Sequence, residues 1–327
     1  MSESPKIDRR GFLAASALLA GAMPSLAHAR ELSERQLEGI YVIMQTPFHE
    51  NLKIDEESLR RECDFLVKCR VHGMVWSAGA GETTSLSHRE RDQFSKVIVD
   101  EVRGRVPVFI GVHGANKFEA MEYARYAERI GADGIHARGP SDNSPDPEML
   151  TEYFTAIASA SKLPLTIQES TPGMTTDFLI RLGQKLPTFR IAKIESSNPP
   201  HDVTKIVDAG RHLVPSTGGG GMNLMNEMAR GSGGTMAGAG FADIQVDIWN
   251  LFHAGQHEEA RKRFEKFLMM AVLERKTTFV LQKEILRRRG GVFRTVTMRR
   301  TRKFAMDKGD LRELDAIMEA AKPYFRV

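Results

Sequence analysis

From Ile40 onward the chain alternates short β-rich runs with longer amphipathic ones, and it does so eight times. The β-rich runs are "IYVIMQ" from Ile40, "GMVWSAG" from Gly73, "VPVFIGV" from Val106, "DGIHAR" from Asp133, "LPLTIQE" from Leu163, "RIAKIE" from Arg190, "HLVPST" from His212 and "GTMAGA" from Gly234. Between them lie segments such as "DEESLRRECDFLVKCRV" from Asp55, "KFEAMEYARYAERIG" from Lys117 and "DPEMLTEYFTAIASAS" from Asp146. In these, apolar residues recur at three and four behind Asp, Ser or Asn caps, the pattern of helices with one buried face. Eight βα units in a row specify an α/β fold, a (β/α)8 TIM barrel, more economically than two open sheets. A chain of 327 residues holds one such barrel, about 250 residues, with some left over. The eighth helix is expected over roughly Ala242 to Ala254, and three further helical stretches to Val327 read as a C-terminal helical extension suited to packing subunits together. The expected organisation is therefore a leader over 1–29, the barrel over 30–254 and the extension over 255–327.

The leader is "KIDRRGFLAASALLAGAMPSLAHA": Arg9 and Arg10, an apolar stretch from Phe12 to Met23, then a small-residue exit at Ala27, His28 and Ala29. It reads as a twin-arginine export signal cleaved after Ala29, which places the mature protein in the periplasm. Its apolar stretch is shorter than the ~20 residues that span a bilayer, and no other segment suits one. The net charge of +4 comes from one late segment, Lys283 to Lys308, with ten Lys/Arg against two acids. No nucleic-acid module surrounds it, so it is expected to form a solvated or subunit-facing surface. Cys63 and Cys69 fall on different faces of one helical segment without zinc-ligand spacing, and read as packed, unpaired thiols.

In a barrel the chemistry gathers at the C-terminal ends of the strands. Side chains alternate along strand six. Ala192 and Ile194 suit the helix-packed outside, which sends Ile191, Lys193 and Glu195 inward. An inward lysine at a strand end is desolvated, which favours the neutral amine, a nucleophile toward a ketone or aldehyde. The residues alone leave this reading and a structural Lys193–Glu195 ion pair both open. After strand two, "SAGAGETT" offers the backbone N–H groups of Gly79, Ala80 and Gly81 as a cradle for a carboxylate. "TGGGG" (Gly218, Gly219) and "AGAG" (Gly238, Gly240) close strands seven and eight and let a ligand approach the backbone. No basic residue stands beside either loop, so a carboxylate or sugar hydroxyls fit there better than a phosphate. Gln168, Glu169, His113, His136 and Asp142 fall near the mouth, where they are candidates to bind substrate or move protons. No arrangement has metal-ligand spacing, and the Lys193 charge opposes a cation shared by Glu195 and Glu169.

These residues together resemble the dihydrodipicolinate synthase and N-acetylneuraminate lyase superfamily of Schiff-base barrels, over about Gly39 to Arg300. The resemblance rests on "TPF" at Thr46 to Phe48 followed by "KIDEESL", on "GAGETTSLSHRER", on "GADGI" before strand four and on "AKIESS". It implies that Lys193 forms an imine with a 2-keto acid whose carboxylate lies on the strand-two turn, with no cofactor and in a homo-oligomer, a tetramer. Two departures stand out. The family's two relay threonines correspond to Gly79 and Ala80, and its catalytic tyrosine to Asp142, which makes dihydrodipicolinate synthesis doubtful. "LPLTIQES", "KIE", "AGAGFADI" and "AGQHEEARKRFEKFL" are most similar to the branch containing 2-keto-3-deoxyarabonate dehydratase. The expected reaction is then dehydration of a 2-keto-3-deoxy sugar acid, with Glu195, or Glu169 through a water, taking the C3 proton. The alternatives are retro-aldol cleavage, with His136 or Asp142 in the tyrosine's place, and a periplasmic keto-acid binder without turnover.

Overall fold

The structure, a computed structural model, describes residues 32–140, 146–171, 173–210, 212–300 and 305–327. The segment expected to be an export signal and Asp142 lie outside the described residues. Eight parallel strands close in sequence order: β1 (Gly39–Ile43), β2 (Gly73–Trp76), β3 (Val108–Gly111), β4 (Gly134–Arg138), β5 (Leu165–Gln168), β6 (Phe189–Ile194), β7 (Val214–Thr217) and β8 (Gly234–Thr235). Each is followed by a helix: α1 (Glu56–Lys68), α2 (His88–Val102), α3 (Lys117–Arg129), α4 (Pro147–Ala160), α5 (Thr176–Lys185), α6 (Pro199–Asp208), the short α7 (Leu224–Ala229) and α8 (Ala242–His253). The (β/α)8 barrel expected from the repeat is the fold.

Local chemistry sets the helix starts. Asp55 caps α1 through the Ser58 N–H, Ser87 and Glu90 form a capping box on α2, and Asn116 caps α3. Asp146 caps α4, with Pro147 in the first turn, where its missing N–H costs nothing. Strand β8 is shorter than "GTMAGA" suggested, two residues rather than six. Beyond it the seam stays closed by single backbone bonds, Met236 N–H to Thr217 O (2.8 Å) and Ile43 N–H to Ala237 O (2.9 Å).

Alternation along the strands separates two cores. Ala192, Ile194, Ile135 and Ala137 face the helices, in the main apolar layer. Tyr41, Ile43, Val75, Phe109, Ile191, Val214 and Met236 fill the barrel interior, where Tyr41 and Phe109 meet edge to face at 5.2 Å. The interior is thus packed up to the level of Ile191, and the inward residues above it form the floor of the mouth. Cys63 and Cys69 are buried and unpaired, as expected.

Among the described residues, three α-helices follow the barrel: α9 (His257–Thr277), α10 (Phe279–Arg288) and α11 (Lys308–Ala321). The basic segment from Lys283 departs from its expected role as a solvated or subunit-facing surface. Lys283 is fully buried against Glu82, Arg289 is buried against Asp243, and Arg299 pairs with Glu90 at 2.6 Å. Acids on the barrel supply these partners, far away in sequence, so the segment fastens the extension onto the barrel. Among the described residues no helix is long and apolar enough to cross a membrane.

Candidate active site

Strand β6 runs between β5 and β7, with Lys193 in register with Gln168 on one side and Ser216 on the other. Its amine is therefore surrounded by inward side chains, and Lys193 is only 5% exposed. The Nζ atom lies 3.1 Å from Glu195 Oε1, and the Glu195 side chain is 27% exposed. Both alternatives left open by the sequence are present at once: an ion pair exists, and it faces a cavity of about 540 Å³. That volume is within the range of small-molecule sites.

Glu195 is held from three sides. Gln168 Nε2 donates to its Oε1 at 3.2 Å, the Gly219 N–H donates to its Oε2 at 3.1 Å, and its own N–H donates to Glu169 Oε2 at 3.0 Å. Gly218 leaves room for it in this position, because a Cβ there would fall 2.0 Å from Glu195 Oε1 and displace the carboxylate. Gly218 and Gly219, expected to touch substrate, are thus used first to seat this carboxylate. Glu169 serves the same end through the strand-six backbone and lines a neighbouring hollow, not the main cavity; burial raises its carboxyl above the usual value.

The other expected residues separate. Gly79, Ala80, Gln168, Gly219 and Gly238 line the cavity, and Gly81 forms part of the same strand-two turn. Gly240 does not line it: its N–H donates to Gln282 Oε1 at 2.7 Å, so this glycine docks α10 and not a ligand. His136 is fully buried beneath the floor, and neither of its ring nitrogens makes an aligned hydrogen bond. Burial, helped by Lys193, His113 and Arg138, holds its imidazole well below the ordinary range, so it is neutral. His113 is likewise held down, to about 3, by burial and the nearby arginines Arg91 and Arg138. Neither histidine lines the cavity, which removes the geometric basis for a proton-moving role at the mouth.

Three arginines and an acid were missed. Arg138, Arg275 and Arg300 all line the cavity, and so does Glu274. The absence of a basic residue next to the glycine loops in sequence therefore misjudged the charge of the site. Arg138 had a signal: with Ile135 and Ala137 facing out, alternation sends both His136 and Arg138 inward. Its guanidinium lies against Gly79, where a Cβ would sit 3.0 Å from Arg138 Nη1. Glu274 comes from the last turn of α9. Its Oε2 is buried without a hydrogen-bond partner, and burial raises the carboxyl to about 7. Arg300 is delivered by a buried device. Glu82, in the left-handed backbone conformation (φ 57°), accepts the Arg299 and Arg300 N–H groups on Oε2 at 3.0 and 2.8 Å. Its Oε1 binds Lys283 Nζ at 2.5 Å.

The site thus combines an amine beside a carboxylate, a separate carboxyl able to carry a proton near neutrality, and three arginines. Among the described residues no cluster of acids, histidines and cysteines could hold a metal.

Comparison with known proteins gives the family and agrees with the barrel fold. The profile of the Dihydrodipicolinate synthetase family matches residues 36–198. The chain is 30% identical over 237 residues to the 4-hydroxy-tetrahydrodipicolinate synthase of Magnetococcus marinus, covering 71% of this chain and 80% of that enzyme. It is 25% identical over 264 residues to the L-2-keto-3-deoxyarabonate dehydratase of Azospirillum brasilense, covering 78% and 85%. A 40% identical stretch of 133 residues spans 40% of this chain and 44% of the 4-hydroxy-tetrahydrodipicolinate synthase of Methanopyrus kandleri. Among solved structures, a prophage protein of the dihydrodipicolinic acid synthase family from E. coli, in complex with pyruvate, superposes with a TM-score of 0.79 at 21% identity, covering 87% and 98%.

Proposed function

This chain belongs to the dihydrodipicolinate synthetase family, and we propose that within it the protein dehydrates a 2-keto-3-deoxy acid through an imine on Lys193. Enzymes of the family are lyases that form a lysine Schiff base with pyruvate and need no cofactor. The observation that carries the reading is the inward Lys193, in contact with Glu195 at 3.1 Å and facing a cavity of about 540 Å³.

Glu195 takes the ammonium proton, the neutral amine adds to the C2 carbonyl, and Glu195 returns the proton to the C2 hydroxyl, which leaves as water from a protonated imine. That cation acidifies the C3 protons, and Glu195, a carboxylate again, removes one. The electron pair moves toward C4 and expels the hydroxyl, which leaves as water with a proton from Glu274. Hydrolysis then frees Lys193 and the dehydrated keto acid. Retro-aldol cleavage would instead need a base at the C4 oxygen. Glu274, protonated up to about pH 7, supports the acid's role there. The resemblance sets Gly79 and Ala80 where the synthase has its relay threonines, and neither residue has a hydroxyl to pass a proton, which argues against the synthase reaction.

The leader further supports export by the twin-arginine route and work in the periplasm, and the family's habit supports a homo-oligomer. The deciding experiment is product analysis with 2-keto-3-deoxy sugar acids. A semialdehyde product supports dehydration, pyruvate plus an aldehyde supports cleavage, and no turnover with an intact imine supports a binder.

A further inference from the structure

The turn that seats Glu195 is built from glycine: "TGGGG" puts Gly218, Gly219, Gly220 and Gly221 directly after the last residue of β7. Gly219, Gly220 and Gly221 take φ values of 57°, 67° and 75°, which glycine adopts without strain. The same residues leave the backbone more conformational freedom than any others would. Yet the Gly219 N–H has to stay on Glu195 Oε2, 3.1 Å away, for that carboxylate to keep its place beside Lys193. The restraint must come from outside the glycines.

One buried contact between side chains spans the turn. Thr217 donates from Oγ1 to Oε2 of Glu227 on α7 at 2.6 Å, joining residues ten apart. Both are buried, Thr217 completely. Thr217 is in register with Ile194, which stands between Lys193 and Glu195, and the next N–H, of Gly218, donates to Ile194 O at 3.1 Å. The Thr217 carbonyl accepts from the Met236 N–H at 2.8 Å and from Thr235 Oγ1 at 3.0 Å. The start of the turn is thus tied to β6 and β8. Its far end is tied as well, because the Ser232 N–H donates to Glu227 O at 3.0 Å and the Ser232 hydroxyl donates to Pro215 O at 3.1 Å.

A buried carboxyl serves as a plain hydrogen-bond acceptor only while it stays uncharged. Burial first, and then the charge of Glu195, raise the Glu227 carboxyl to about 7 against the pull of the Thr217 hydrogen bond. Arg230, the next charged residue along the chain, donates to Asn226 and Thr204 at 3.0 and 3.1 Å. Neither Thr217 nor Glu227 lines the cavity, so any influence on the reaction passes through the turn.

We propose that Glu227 is a positioning residue for Glu195: its hydrogen bond with Thr217 fixes the glycine turn and, through the Gly219 N–H, the carboxylate that takes the C3 proton. This rests on the reading of Glu195 as that base. Without the tie the turn relaxes into the conformations open to four glycines, and a reacting group displaced by about 1 Å loses about 10²-fold in rate.

The test is exchange of the C3 protons of pyruvate for deuterium, followed by proton magnetic resonance in heavy water. Pyruvate has no C4 hydroxyl, so Glu274 takes no part and the exchange reads imine formation and the C3 base alone. In T217V and E227L the exchange rate at saturating pyruvate should fall at least about tenfold, while the pyruvate KM and the final yield of borohydride adduct stay at wild-type values. T217S and E227Q keep the donor and the acceptor and should restore the rate. A merely structural role would lower the melting temperature and leave the rate per folded molecule unchanged; T217V, the milder change, carries the test if E227L does not fold. Wild-type exchange in T217V, a loss of pyruvate affinity in place of rate, or slow exchange in E227Q would overturn the inference. E195Q separates it from the reading beneath. Undiminished exchange in E195Q would reject Glu195 as the C3 base, whereas an inactive E195Q beside a T217V that exchanges like wild type would reject the positioning role alone.

Discussion

Two buried lysines among the described residues, Lys283 and Lys193, each pair with a glutamate; the pairs look alike in a contact diagram and differ in everything that decides function. Lys283 and Glu82 are both fully buried, 2.5 Å apart. Every remaining valence is used: Lys283 also donates to Thr297 O at 2.9 Å and lies over the Phe48 ring at 4.6 Å, while Glu82 accepts two backbone N–H groups. Lys193 and Glu195 are 3.1 Å apart, with Glu195 partly exposed and a cavity in front of both. A saturated pair can only hold; an unsaturated one can exchange its partner for a substrate carbonyl. Burial of a lysine by itself therefore says little. The free space beside the amine separates a nucleophile from a fastener.

Replacing the reactive lysine should give the largest effect. In K193M turnover and the trapped adduct fall to background while the fold survives, as circular dichroism and melting will show. Next comes E195Q. Removing a positioned proton acceptor costs typically about 10²- to 10⁴-fold in kcat. The amide can still accept from the Gly219 N–H but cannot take the Lys193 proton, so the adduct should form more slowly and turnover should be lost. Unchanged turnover would assign the C3 proton to another group. K283M sharpens the contrast from the other side: Glu82 would be left buried without its cation, at a cost of about 3–5 kcal/mol in denaturant unfolding. The folded fraction of K283M should still be trapped at Lys193. A K283M protein as stable as wild type would mean the extension is held chiefly by its apolar contacts.

The smallest effect concerns Glu274. With its carboxyl raised to about 7, the protonated, donating form prevails below that pH and is lost above it. The kcat of the wild type should therefore decline as pH rises through about 7. E274Q should lower kcat roughly 10²-fold and remove that limb, if the carboxyl donates the proton. A limb unchanged in E274Q would assign it to a different acid.

Much of this comparison was legible in sequence, and the limits have physical causes. The barrel follows from eight local repeats, and the facing of Lys193 and Glu195 follows from a strand period of two. Both are properties of neighbouring residues. The same period pointed Arg138 inward beside His136, yet the burial that silences the histidine depends on residues from other strands. Gly218 read as room for a ligand, whereas its missing Cβ makes room for Glu195. Glu274 and Arg300 were out of reach. Their place at the mouth is set by contacts such as Lys283 to Glu82, 201 residues apart, and no local pattern encodes such a pairing. The basic segment looked solvated because its acids lie elsewhere in the chain.

The central claim is that Lys193, and not the buried Lys283, is the reacting amine. Borohydride reduction in the presence of pyruvate, followed by peptide mass spectrometry of the intact protein, reads it directly. The account predicts one reduced pyruvate adduct per chain, on the peptide containing Lys193. No adduct, or an adduct on Lys283, would contradict it.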